Sequence, residues 1–355
     1  MNNLSILRPL AVFAFCAIFH SFSQAQQSGF PEPKIKAGIA TIHGKLNAHS
    51  SQIPSLTLVI SNPVTGDISY LSTKVETDGS FYFEAPIECS TVISAIATSG
   101  FGGVFIELSP DEDKKVELGM DDNEKIEIAT ISGNNYLSNQ DKINYVIALD
   151  RFSNYKNINV DLICKMTPEE YANYQMDLMK TKIDYAMNDY HFSEPGKIFV
   201  SNELHLLNLQ VWLLPYKERI EMLCQDKVSV QDSDIQYYKL LKSFDLNNPQ
   251  YLCNRLFPIT MQNLLSVKAF NIPSISDTPI EEWLKNVKET LSDLVGFDKG
   301  QFYDLLVANA YAKQFNEKPT PLSDKQKYNI KEYFCNGEIA KILFRKNDEV
   351  IKKSK

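Results

Sequence analysis

The chain has 355 residues, of which 44% are hydrophobic and 11% aromatic, and a formal net charge of -8. That composition belongs to a folding chain rather than a disordered one, and the length suits two domains of about 100–200 residues each. The mild acidity argues against nucleic acid or an anionic membrane surface as partner.

Arg8 precedes an apolar run from Leu10 to Phe19, and Ser23-Gln24-Ala25 follows. A positive start, a short apolar core and an A-x-A-like end predict a secretory signal peptide over residues 1–25, cleaved after Ala25. The core falls well short of the roughly twenty apolar residues that span a bilayer, and no later run reaches that length. Cys16 follows Phe15, where a lipid-attachment site calls for a small residue, so a lipoprotein is disfavoured. The expected location is periplasmic or extracellular, with no transmembrane segment after cleavage. Residues 26–34 read as a linker.

From Ile35 to Ser132 short alternating runs are broken by turn residues, as in Leu56–Ile60, Ile68–Val75 and Val92–Ala97. Asn62-Pro63-Val64-Thr65-Gly66-Asp67 reads as a tight connection. Thr77-Asp78-Gly79-Ser80 reads as a hairpin turn, because Asp-Gly tolerates the positive φ angles of a primed turn. About eight strands at this spacing predict an antiparallel β-sandwich over 35–132.

Beyond Asn135 the apolar period becomes helical, predicting an all-α domain over 133–355 and an α+β chain overall. Thr167-Pro168-Glu169-Glu170 and Thr278-Pro279-Ile280-Glu281 each read as a helix start with a hydroxyl cap, an early proline and a carboxylate in the first turn. Ser323-Asp324-Lys325-Gln326 is a weaker capping box. A helix opening at Asn248-Pro249 is expected to kink or divide at Pro258. About eight helices are expected, among them Ile198–Leu214 and Phe302–Phe315. Tyr171, Tyr174, Leu178 and Tyr185 are expected on one core face, and Trp283, Val287, Leu291 and Leu294 on another.

No catalytic constellation rises from the chain. His43, His49, His191 and His205 stand apart, with no H-E-x-x-H, and no G-x-S-x-G elbow occurs. Ser99-Gly100-Phe101-Gly102-Gly103 lacks the Walker lysine and a following helix, and reads as a strand connection. The acidic runs Asp111–Asp113 and Asp121–Glu124 lack the calcium-loop pattern. Without Cys16, five cysteines remain: Cys89, Cys164, Cys224, Cys253 and Cys335. None forms C-x-x-C, so buried thiols are expected; a disulfide, if formed, joins two cysteines of the second half. Cys224 and Cys335 lie in non-basic surroundings and read as structural thiols, with Gly337 as a helix C-cap. No catalytic, cofactor-binding or metal-ligating residue is assigned, and no cofactor.

The stretches Asn62–Asp67, Thr77–Phe83 and Asn336–Leu343 resemble the N-terminal region of envelope thioredoxin-like disulfide reductases of the TlpA type, common in Bacteroidota. In that family a thioredoxin domain with a W-C-x-x-C site follows. This chain ends at Ile351–Lys355, about where that domain would begin, so the resemblance carries no redox residue onto it. The leading expectation is a non-catalytic envelope protein that binds a protein or peptide. One alternative is the accessory part of a truncated or split reductase. Another is a glycan-binding sandwich, with Tyr70, Phe81, Tyr82 and Phe101 as stacking platforms.

Overall fold

The computed structural model describes residues 32–353 apart from 48–52, 54, 99–101, 123–124, 134, 154–158 and 225–233. The expected signal peptide, His49 and Phe101 lie outside the described residues.

Among the described residues eight strands form two four-stranded sheets: β1 (Ile35–Leu46), β2 (Ser55–Ser61), β3 (Ile68–Lys74), β4 (Ser80–Cys89), β5 (Val92–Thr98), β6 (Gly102–Leu108), β7 (Asp113–Met120) and β8 (Ile126–Ile131). The first sheet runs β4-β1-β7-β8 and the second β3-β2-β5-β6. Period-two patterning decides which side chains fill the space between them. In β1, Ala40, Ile42 and Leu46 are buried, while Thr41 and His43 between them are not. Leu56, Leu58 and Ile60 are buried on β2 of the other sheet, and Phe81, Phe83 and Ala85 on β4, beside β1 in its own sheet.

All pairings are antiparallel except β1 with β7, which runs parallel from Thr41/Asp113 to Leu46/Leu118. The Asp-Gly turn also departs from the expected hairpin. It joins β3 of one sheet to β4 of the other, so it turns a corner between layers. The turn chemistry is nevertheless the expected one. Gly79 has φ 84, its N–H donates to Glu76 O, and its carbonyl accepts from Leu46 N. A Cβ there would stand 2.4 Å from Leu46 O. The tight hairpin is at Asn62–Asp67, between β2 and β3, closed by Asn62 N to Asp67 O at 2.9 Å.

Among the described residues ten α-helices follow: α1 (Asn139–Ser153), α2 (Val160–Ile163), α3 (Pro168–Asp189), α4 (Glu194–Asn208), α5 (Tyr216–Cys224), α6 (Phe257–Ser266), α7 (Ile280–Val295), α8 (Gln301–Glu317), α9 (Asp324–Phe334) and α10 (Glu338–Lys353). Thr167 caps α3 in a full capping box with Glu170, and Ser323 does the same for α9 with Gln326. Thr278 makes no such cap. There α7 begins at Ile280 with Pro279 at the cap position, one residue beyond Thr278, and no side-chain cap; the Thr278 carbonyl accepts from Asn329 and its N–H donates to Ile275 O. Pro258 divides its segment, separating a 3₁₀ turn at Pro249–Cys253 from α6. The expected helix Ile198–Leu214 becomes α4 followed by a π-helical turn, Leu209–Leu213.

The core face of α3 is Tyr171, Gln175, Met179, Ile183 and Ala186. Tyr185 falls off that face, is half exposed, and accepts from Arg151 at 2.8 Å. In α7 the expected face of Trp283, Val287, Leu291 and Leu294 is buried. The C-cap of α9 is Cys335, with φ 48, followed by Asn336 at φ 57; Gly337 needs no positive φ. Cys164 and Cys224 form a disulfide across 60 residues, overturning the reading of Cys224 as a free thiol. Among the described residues no helix is long and apolar enough to cross a membrane.

Candidate functional site

The densest polar chemistry lies where the two domains meet. Apolar strands place it there: Glu88 stands between Ile87 and Cys89, and Glu107 between Ile106 and Leu108, all buried. The Asn62–Asp67 hairpin wraps the Glu88 carboxylate. Val64 N–H and Thr65 N–H donate to Oε2 at 2.8 and 3.1 Å. The Thr65 hydroxyl lies 2.7 Å from Glu88 Oε1 and also contacts Asp67 Oδ1. A hydroxyl has one proton and cannot donate to both carboxylates. Burial, reinforced by Asp67, pushes the Glu88 carboxyl up to about 7. Protonated, Glu88 donates to Thr65 Oγ1, and Thr65 donates to Asp67.

The same hairpin is gripped from the helical side. Asn309 of α8 donates to Pro63 O and Val64 O at 3.0 and 3.1 Å. Asn316 donates to Thr65 O, and Lys346 of α10 pairs with Asp67 at 2.8 Å. Gly66, at φ 67, allows this approach, since a Cβ there would lie 2.1 Å from Asn309 Oδ1. Further along, Arg345 of α10 donates to Gly38 O and Ile87 O, and Glu338 accepts from Ala37 N.

A second buried cluster links the sandwich to α1 and α4. Glu107 accepts from the N–H groups of Tyr136 and Leu137 at 2.6 and 2.9 Å, and Lys142 stands 3.8 Å away. Glu203 accepts from Tyr145 and from Arg255 N. Burial raises both carboxyls, against the pull of Lys142 on Glu107 and of Arg255 on Glu203. It lowers Lys142, partly offset by Glu107. The Cys89 and Cys253 thiols flank the same region. Burial pushes Cys89 up to about 12 and Cys253 well above its ordinary value. Thiols so raised carry almost no thiolate at neutral pH and are poor nucleophiles. Glu88, Glu107, Glu203, Lys142, Cys89 and Cys253 are buried, so the arrangement ties the sandwich to the helices.

An open cleft lies elsewhere, between the entry to β1 and the helices α7, α8 and α9, with a volume of about 420 Å³. Lys34, Lys288 and Lys299 line it with Tyr303, Asp304 and Tyr333. Tyr333 donates to Asp304 at 2.9 Å, and Tyr303 to Phe297 O. Lys288 Nζ sits 5.0 Å over the Tyr303 ring.

No family model matches the chain, and no curated protein matches it.

The residues weighed from sequence are scattered. His43 lies on the outer face of β1, tilted against the Tyr82 ring and 3.4 Å from Asp113. His191 follows the end of α3, and His205 contacts Ser201 O on α4. Asp111 and Glu112 pair with Lys36 and Lys114, and Asp121 caps its own turn through Lys125 N. Among the described residues no three acidic, histidine or cysteine side chains gather as metal ligands do. Tyr70 and Tyr82 sit on different sheets and Phe81 is buried, so they make no common platform. Glu88, Glu107 and Lys142 escaped the sequence reading, and Glu203 was weighed only as a partner for His205. An acid inside an apolar strand run was the legible signal for the first two.

Proposed function

We propose that the chain is an exported, non-catalytic envelope protein whose sandwich and helical domain act as one rigid binding module for a protein or peptide. The observation that carries this reading is the burial of Glu88, Glu107, Glu203, Lys142, Cys89 and Cys253 at the domain junction, where they hold structure. The Cys164–Cys224 disulfide favours an oxidising compartment. The test is affinity capture with crosslinking from the protein's own envelope fraction, followed by reconstitution with purified components. A stoichiometric partner that rebinds in purified form supports the reading; none at physiological salt counts heavily against it. The intact mass of the native protein tests export, with cleavage after Ala25 as the expected result.

A second reading makes the chain the accessory part of a thioredoxin-like reductase. What favours it is that two of the three resembling stretches, Asn62–Asp67 and Asn336–Leu343, lie at the domain junction. A C-x-x-C domain encoded immediately downstream would support it, and unrelated neighbours would weaken it.

A further inference from the structure

The cleft beside β1 carries charges of both signs around two tyrosine rings. Lys34 and Lys299 are exposed and make no ion pair among the described residues; Lys288, half-buried, lies over the Tyr303 ring and shares its charge with Asp304. The charges of Lys34 and Lys299 are therefore available to an incoming anion, with Lys288 behind them. Asp304 faces the same space. Its Oδ1 accepts from Tyr333, and its Oδ2 accepts no hydrogen bond among the described residues. Glu32, exposed at the rim, adds a second acid. Tyr303 and Tyr333 keep their hydroxyls engaged with Phe297 O and Asp304, which leaves ring surface as wall. The volume, about 420 Å³, lies in the range of ligand clefts.

A simple anion would leave Asp304 and Glu32 as like charges beside it, and a cation would face three lysines. A ligand with both charges, separated by a short uncharged stretch, satisfies every wall at once. We propose that this cleft binds a short peptide with free ends, its carboxylate among Lys34, Lys288 and Lys299, its ammonium at Asp304, and its side chains against the tyrosine rings. This deepens the protein- or peptide-binding reading above and rests on it.

Titration calorimetry on the full mature chain tests it, with free-ended trialanine, its N-acetylated and C-amidated form, and succinate as probes. Free trialanine is expected to bind, and the blocked peptide to bind at least about tenfold more weakly. Lys299→Gln and Lys34→Gln, both at exposed positions, are expected to weaken binding by about two- to fivefold each, the worth of an exposed ion pair. Their melting temperatures should not move. Absence of heat with trialanine overturns the proposal. So does equal binding of the blocked peptide, or succinate binding as well as trialanine, which would mark a plain anion site. A reconstituted partner that still binds after the cleft has failed would sink the cleft alone and leave the broader reading standing.

Discussion

Glu88 shows how one buried residue sets a pH dependence. Its carboxyl titrates near 4.5 when unfolded and about 7 when folded, so between those values the native state holds the extra proton. Stability from this residue is present below about pH 4.5 and is lost as pH rises through 7. The shift corresponds to roughly 3 kcal/mol. Glu107 and Glu203 shift in the same direction and steepen the fall. Glu88→Gln should remove most of Glu88's share. Its amide nitrogen can donate to Thr65 Oγ1 while its oxygen keeps the two backbone N–H groups. Urea unfolding at pH 5 and pH 8 should therefore show a smaller difference in the variant, with higher stability than wild type at pH 8. An unchanged difference would mean Glu88 is ionised at both pH values. Strand alternation made the environment of Glu88 partly legible in sequence, since it breaks an apolar run. That Thr65, 23 residues upstream, would close over it was not, because nothing local encodes a contact between a hairpin and the far end of another strand.

At the level of elements, two expected capping signals met different fates. Thr278-Pro279-Ile280-Glu281 has the better pattern, yet Ser323 makes the box. The reason is tertiary: Thr278 is committed to Asn329 of α9, and Ser323 to Asp277 just before it. Ser323→Ala should cost about 1 kcal/mol, while Thr278→Ala should stay within about 0.5 kcal/mol, both read by denaturant midpoints at constant slope. The disulfide makes a larger claim. Closing 60 residues, it removes loop entropy worth about 4 kcal/mol from the unfolded chain. Cys164→Ser with Cys224→Ser should lose a comparable amount, and reductant should then have no further effect. Sequence reading located the pair no better than "in the second half", because spacing alone does not reveal which elements α2 and α5 bring together.

Across the whole molecule, fold class was the most legible property and the junction the least. Eight strands and a change to helical period sufficed for a sandwich followed by helices. The parallel pairing of β1 with β7 and the layer-crossing Asp-Gly turn depend on which sheet each strand joins, and turn residues report only local backbone angles. The candidate site fared worse, since its charged members are distant in sequence and its cleft is lined from both domains. The junction predicts cooperativity. Arg345 satisfies two carbonyls of the sandwich, Gly38 O and Ile87 O; Arg345→Ala leaves both without it at a cost of about 1–3 kcal/mol. Wild type should unfold in urea as a single transition by fluorescence and circular dichroism. The variant should separate into two, with the β signal lost first.

The same bond has a consequence for biosynthesis. Gly38 and Arg345 lie 307 residues apart, and translation at roughly 5–20 residues per second separates their appearance by roughly 15–60 s. For that interval the first strand has no α10 to cover it, and the buried end of β4 stands open. Newly made chain is thus exposed to premature strand pairing until its last helix arrives, and a holding chaperone would have its window of action there.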